Sequence, residues 1–532
     1  PPPGVTRSNS SATILDPLPN DPEHALIEVA DWKGDIDTKV MYSAKMNLIN
    51  GALTDIVKAP LPGETDFLDD RNGDIRYAIN RGGDVDGLHI FTRMREEPQW
   101  RAVGAPKNGT HLLPIGLSAD GTKVYLLTNE TTGRNCLAEQ LLTTGERKIL
   151  SCDDIADVNK VIYSFDGKEP IAVVYAAGKP KTILLSSEHP DAKLLQRLLL
   201  SFPDRIVDPI SSTSDGSKVI LLVYSDRDPG EYFLFDTKTS KAQSLAVAFG
   251  NIIPEEMGER RPISFKNRDG VMLHGFLTIP PGRELKNLPL IVNPHGGPFE
   301  ISDEWGWENE AQMLATHGYA VLQVNFRGSG GFGSAFVAAG VYGWGTAMIN
   351  DITDGTRWAI EQGYADRNRL CIYGASFGGY AALMSAVREP DLYRCVIASS
   401  GIYDLNLWTT DADFSHTKHG RQYVKDFVGA TPEQLEAASP LTYIDNLKSA
   451  LMIVHGKGDE RTPYTQAQTL HDVLRVRKIP HEWLVKSDEG HGFYAPKNRV
   501  ELYTRILAFL DKNIGQPADT SEPAATISTS KP

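Results

Sequence analysis

Gly374-Ala375-Ser376-Phe377-Gly378 sets a serine in the pattern Gly-x-Ser-x-Gly, directly after the apolar run Arg369–Tyr373 and ahead of a helix-like stretch, Gly379–Arg388. A serine on a tight strand-to-helix turn is presented as a nucleophile, and the flanking glycines let neighbouring backbone approach without a Cβ in the way. The helix start that follows favours negative charge developing beside it. A hydroxyl is a weak nucleophile, so it needs a base, and the base needs an acid to orient it. Both candidates stand downstream at the ends of apolar runs. Asp459 lies in His455-Gly-Lys-Gly-Asp459 after Leu451–Val454, and His491 in Lys486-Ser-Asp-Glu-Gly-His491 after Glu482–Val485. Serine, then acid, then histidine is the α/β-hydrolase order, each at a strand end. Ser376, Asp459 and His491 are therefore the predicted triad. Glu460, Asp488 and Glu489 compete as the acid. The last two share the histidine's own loop, which favours Asp459, and His455, at a strand end ahead of the acid, reads as structural.

An oxyanion at an attacked carbonyl needs two donors. One is the backbone N–H after the nucleophile, that of Phe377. The other is expected from the loop Asn293-Pro-His-Gly-Gly-Pro298, with Gly297 N–H as the donor and His295 in support. Tyr380, Tyr403 and Trp408 are candidates for the walls of a substrate pocket and, equally, for core packing. This chemistry calls for no metal and no organic cofactor.

The elements that must position these residues follow from two different patterns. From about Arg260 onward, apolar strands (Pro289–Val292, Ala320–Val324, Arg369–Tyr373, Cys395–Ala398, Leu451–Val454, Glu482–Val485) alternate with helical runs (Asp351–Gln362, Gly379–Arg388, Thr465–Arg477). That alternation predicts a mostly parallel sheet with helices on both faces. It opens with an antiparallel pair, Ile263–Lys266 and Val271–Thr278. The first half repeats instead. Turn signals at Asp21-Pro22, Asn72-Gly73, Asp120-Gly121, Asp166-Gly167 and Asp215-Gly216 are followed by strands such as Ala25–Val29, Lys123–Leu127, Ile171–Tyr175 and Lys218–Tyr224. Asp21 and the four glycines stand 52, 48, 46 and 49 residues apart. All-β repeats of roughly 40–50 residues are the pattern of propeller blades. The predicted division is a β-propeller over residues 1–257 with about five recognisable blades, an α/β-hydrolase domain over 258–514, and a disordered Pro/Ala/Ser/Thr tail over 515–532.

Composition fits this division. The chain has 532 residues, 41% hydrophobic and 23% charged, which is globular usage at a length that favours two domains. A formal charge of −14 argues against nucleic acid as a partner, because phosphate binding needs a basic face. No apolar run reaches the roughly 20 residues of a membrane span. The start at Pro1 rather than Met reads as processing, trimming or a fragment. Cys371 and Cys395 sit in apolar runs and are expected to be buried free thiols. Cys136 and Cys152 flank a hairpin-like segment turning at Thr143-Thr-Gly-Glu146, which would bring them opposite each other; a bridge and two separate thiols both stay open. A bridge would favour a periplasmic or secreted setting, and its absence a cytoplasmic one.

Residues of roughly 260 to 513 resemble the prolyl oligopeptidase family of serine peptidases, above all its acylaminoacyl-peptidase-like branch. The resemblance is carried by His295-Gly-Gly-Pro298, Asn325-Phe-Arg-Gly-Ser-Gly-Gly-Phe-Gly333, Gly374-Ala-Ser-Phe-Gly-Gly-Tyr380, His455-Gly-Lys-Gly-Asp459 and Glu489-Gly-His-Gly492. It implies a propeller ahead of the hydrolase domain, of roughly seven or eight blades, so that N-terminal blades are missing from this chain or too divergent to read. The adjacent glutamates with which dipeptidyl-peptidase relatives hold a free amine are not carried over, since Glu96-Glu97 lacks their tryptophan-rich context. The expected function is a serine peptidase cleaving short peptides through an acyl-enzyme on Ser376, with the propeller limiting substrate size. Its rivals are a carboxylesterase with the same triad and a non-catalytic propeller binding protein. A homo-oligomer stays open.

Overall fold

The computed structural model describes residues 9–18, 21–32, 39–70, 72–80, 88–94, 97–103 and 110–515. The tail expected to be disordered lies outside them, apart from Gly515. The first half forms five antiparallel sheets in chain order, over residues 9–58, 65–102, 112–151, 158–184 and 206–247. Four of these blades have four strands and the fourth blade has three. Helix Pro190–Ser201 follows the three-stranded blade and wedges Ala192 and Leu195 against Ile171 and Ala172 on one side, and Leu194 and Leu198 against Val207 and Leu221 on the other. The repeated turns join the first and second strands of the blades. Their glycine N–H groups bond back to the carbonyls of Asp70, Ser118, Ser164 and Thr213. In three of them the preceding aspartate accepts the hydroxyl of that same residue: Ser118–Asp120 at 2.6 Å, Ser164–Asp166 at 2.7 Å and Thr213–Asp215 at 2.7 Å. The repeat is thus a hydrogen-bonded turn in which a glycine supplies the positive φ.

Cys136 and Cys152 form a disulfide with Cα atoms 4.6 Å apart. They flank the register pair Leu137–Ser151, so the hairpin itself brings them face to face.

The second domain is an eight-stranded sheet, here β1 (Glu259–Lys266), β2 (Met272–Ile279), β3 (Leu288–Val292), β4 (Ala320–Asn325), β5 (Ala365–Ala375), β6 (Cys395–Ser399), β7 (Ala450–Gly456) and β8 (His481–Lys486). The spatial order is β1-β2-β4-β3-β5-β6-β7-β8, antiparallel as far as β4 and parallel from there. Side chains alternate between two buried faces. Leu370 and Ile372 of β5 enter the core that holds helices α2 (Ala347–Glu361) and α3 (Phe377–Arg388), labelled after α1 (Asn309–Thr316). Cys371 and Tyr373 enter the core beneath α1 and the C-terminal helix Pro496–Ile514. The inner strands β3, β4, β6 and β7, covered on both faces, have to be apolar at nearly every position, which is why they read as near-continuous apolar runs.

Cys371 and Cys395 are register partners on the neighbouring strands β5 and β6, with Cα atoms 4.7 Å apart, and the structure joins them. The expectation of free thiols is corrected. A one-dimensional run shows that each cysteine is buried but not that they are opposite each other.

The propeller meets the hydrolase domain through the loops that follow β3 and β4. Asn159 donates to Glu304 at 2.8 Å, Asp157 N–H to Gly331 O at 2.9 Å, and Ser334 N–H to Gly133 O at 3.0 Å. Near the chain connection, Asp226 accepts from Arg260 N–H at 2.8 Å. These loops leave the C-terminal ends of parallel strands, the same edge from which Ser376 emerges.

Candidate active site

Ser376 occupies the junction of β5 and α3 with φ 59° and ψ −125°. Positive φ on a non-glycine residue costs about 1–3 kcal/mol and persists only where the surroundings impose it. Here β6 imposes it, because Ser376 N–H donates to Ser399 O at 3.0 Å. The two glycines are needed for close approach. A Cβ on Gly374 would lie 2.6 Å from the Gly378 carbonyl, and one on Gly378 would lie 2.2 Å from Pro294 O.

His491 reaches this serine from the loop after β8. Its Nε2 is 3.0 Å from Ser376 Oγ, and its Nδ1 is 2.9 Å and 3.0 Å from the two carboxylate oxygens of Asp459. A carboxylate accepts only, so the proton sits on Nδ1 and the Nε2 lone pair faces the serine hydroxyl. Asp459 is buried, yet burial does not win. Desolvation raises its pKa, but bonds from His491, from Thr462 N–H (2.8 Å) and from Thr462 Oγ1 (2.8 Å) hold it below the ordinary carboxylate value.

The other acids are engaged elsewhere. Glu489 is buried and accepts Tyr494 N–H at 2.8 Å, Asn498 Nδ2 at 2.7 Å and Ala495 N–H at 3.0 Å; these bonds lower its pKa and tie the histidine loop to the start of the helix Pro496–Ile514. Asp488 is exposed and takes Asn498 Nδ2 at 3.1 Å. Glu460 is exposed, and only its carbonyl is used, by Asp413 N–H at 2.8 Å. His455 is fully buried, and its Nε2–H donates to Thr462 O at 2.7 Å. Burial pushes its pKa down, so the ring stays neutral and braces the Asp459–Thr462 turn.

Phe377 begins α3, and a first-turn N–H of a helix has no partner within the helix. The loop at 293–298 lies alongside: a Cβ on Gly296 would sit 3.6 Å from Ser376 Cβ, and Gly297 follows it with φ 112°. His295 does not point an imidazole N–H at the nucleophile. Its Nδ1 bonds Gly296 O at 2.7 Å, its Nε2 bonds Ser329 Oγ at 2.8 Å, and its ring stacks on Phe326 with centroids 4.3 Å apart.

The three aromatic pocket candidates are core residues. Tyr380 and Tyr403 are fully buried, and their hydroxyls donate to Ala438 O at 2.9 Å and Ala398 O at 3.2 Å. Trp408 is buried against Trp344 and donates to Arg461 O at 3.0 Å. Sequence alone left them undecided because a buried aromatic and a pocket wall use the same residue types. Thr462 and Ser329 went unnoticed. An aspartate three residues before a threonine was the available signal for the first, since such side chains close turns on their own backbone. Among the described residues no group of three or more His, Cys, Asp or Glu could hold a metal ion, and no helix is long and apolar enough to cross a membrane.

Residues 305–517 match the prolyl oligopeptidase family. The match spans most of the hydrolase domain. The chain is 28% identical over 426 residues to dipeptidyl aminopeptidase BIII of Pseudoxanthomonas mexicana, covering 76% of this chain and 60% of that protein. It is 26% identical to the mouse acylamino-acid-releasing enzyme over 43% of this chain and 32% of that one. The chain therefore spans less than two thirds of the length of these curated relatives. Among solved structures, a puromycin hydrolase superposes with TM-score 0.74 at 19% identity, over 96% of this chain and 79% of the other. Pyrococcus horikoshii acylaminoacyl peptidase gives 0.68 at 19%, over 94% and 81%. At such identity the superpositions speak to the fold: a propeller followed by an α/β-hydrolase domain.

Proposed function

We propose that this chain is a serine peptidase that cleaves short peptides through an acyl-enzyme on Ser376. The observation that carries the reading is the unbroken line from Ser376 Oγ through His491 to Asp459, with distances of 3.0 and 2.9 Å. His491 Nε2 takes the hydroxyl proton as Oγ attacks the carbonyl carbon, and Asp459 stabilises the imidazolium that forms. The oxyanion is held by the N–H of Phe377 and by that of Gly297, with His295 fixing the loop of the latter. Return of the proton to the leaving amine breaks the C–N bond, and water then repeats the sequence on the ester.

Peptidase names among the curated relatives favour peptides over simple esters as substrates. A propeller seated on the loops beside Ser376 favours short chains over folded proteins. The test is turnover of matched peptide amides and esters, with free and with blocked N-termini. Ser376-dependent cleavage of the amides is expected; ester turnover with inert amides would make the chain a carboxylesterase, and no turnover of either would make it a binding protein.

A further inference from the structure

One loop of the hydrolase domain is held at one end by the propeller and at the other by the oxyanion loop. Its propeller end is a clamp. Asp157, just ahead of the fourth blade, accepts Asn135 N–H at 2.6 Å on Oδ1 and Gly333 N–H at 3.0 Å on Oδ2, while its own N–H donates to Gly331 O at 2.9 Å. Beside it, Gly133 O accepts both Ser334 N–H (3.0 Å) and Ser334 Oγ (3.2 Å). Gly333 has φ 90°, and a Cβ there would lie 2.8 Å from Gly133 O, so the two backbones are in direct contact.

The other end is bonded to the backbone that directly follows the oxyanion loop. Gly330 N–H donates to Ile301 O at 3.1 Å and Glu300 N–H to Gly328 O at 3.0 Å, and a Cβ on Gly330 would lie 2.5 Å from Glu300 O. Between these bonds sits Ser329, fully buried, with Oγ 2.8 Å from His295 Nε2. The partner of His295 Nδ1 is a carbonyl, that of Gly296, so Nδ1 carries the proton and Nε2 accepts the Ser329 hydroxyl. The imidazole is thereby fixed in tautomer and in plane, and it holds the backbone of Gly296, the residue lying against Ser376.

We propose that Asp157, a propeller residue, is a positioning residue for the reaction: by fixing the loop 328–334 it sets, through Ser329 and His295, the oxyanion loop beside Ser376. The inference rests on the serine-peptidase reading above. It makes the propeller part of what holds the transition state as well as a cover over the site. A donor displaced from its position forfeits part of its contribution, and the contribution is realised only as charge develops on the oxygen.

The experiment measures kcat, KM and Tm of the full chain on a short peptide anilide. The variants are Asp157→Ala, Ser329→Ala, the double variant and Asn159→Ala. Loss of a whole oxyanion donor costs on the order of 10²–10³ in kcat, so a displaced one is expected to cost about tenfold. Asp157→Ala and Ser329→Ala should each show that loss with KM within about twofold of wild type, and the double variant should fall no further than the worse single, as links of one chain do. Asn159→Ala breaks a different interdomain bond and should leave kcat unchanged. If Asp157→Ala does not fold, Asp157→Asn keeps the volume and weakens the same link. Unchanged kcat in the Asp157 variant, losses that multiply in the double variant, or an equal loss in Asn159→Ala would each overturn the proposal. Absence of Ser376-dependent turnover in the wild type would instead overturn the functional reading.

Discussion

Asp459 is a buried carboxylate whose charge is kept by the groups around it. Each of its oxygens is 3.0 Å or less from His491 Nδ1, and Thr462 donates to both. Asp459→Asn would turn an amide N–H or a single acceptor toward His491 and favour the wrong tautomer, leaving no lone pair for the Ser376 proton. A loss of about 10⁴ in kcat is expected, as in the serine-protease case. Asp488→Asn, at an exposed position on the histidine's own loop, should stay near wild type. The reverse pattern in steady-state kinetics would reassign the acid. At this scale the sequence was readable where a residue type has few uses. Ser376, Asp459 and His491 stand in an order and at strand ends that serve little else. Tyr380 and Tyr403 could not be placed, because burial is a property of what packs around a side chain, and those neighbours lie as far away in sequence as Ala438.

Elements explain which parts of the fold could be foreseen. Strands covered on both faces are largely apolar, and four of the five blade turns carry a glycine at a fixed place, so β3 to β7 and the repeats announce themselves. The short helices between β6 and β7, Leu405–Asp411, Lys418–Tyr423 and Pro432–Ala437, are too brief for a helical period to show. Strand register was also invisible, and with it the pairing of Cys371 and Cys395. A thiol titration of denatured, unreduced protein should find no free thiol, against four if neither pair forms. The Cys136–Cys152 link closes 16 residues of chain and should contribute about 3 kcal/mol in the chain-entropy description.

β7 carries a pH dependence as well. Burial lowers the pKa of His455 below the ordinary 6.5, so as pH falls the unfolded chain takes up this proton first. Stability is full above that value and declines as pH drops from it toward the depressed native one. His455→Gln keeps a donor for Thr462 O and should show a shallower decline in denaturant midpoint over that window; equal slopes would mean that His455 is not the group responsible.

At the scale of the molecule, the propeller rests on loops that leave the same sheet edge as Ser376, and Asn159, Asp157 and Gly133 bond to them directly. Wide separation of the two domains would have to break these bonds. Short peptides are expected to be cleaved while a reduced, unfolded protein resists. Digestion of a graded peptide series alongside such a protein checks this, and internal cuts in the protein at the rate of a ten-residue peptide would refute the size filter. The order of the two domains was legible in the sequence, but the individual bonds that join them were not. Asp157 and Gly333 are remote in the chain, and neither residue type announces the other.

Acylation of Ser376 can be observed by catching the acyl group on the enzyme. Wild-type protein is mixed with a peptide ester, quenched in acid within the first turnovers, digested, and read by mass spectrometry. The acyl mass is expected on the fragment that contains Ser376, released with time as product forms, with no adduct in Ser376→Ala, whose turnover should fall on the order of 10⁶. Continued hydrolysis by Ser376→Ala, or an adduct on any other residue that forms and decays at the rate of turnover, would contradict that expectation.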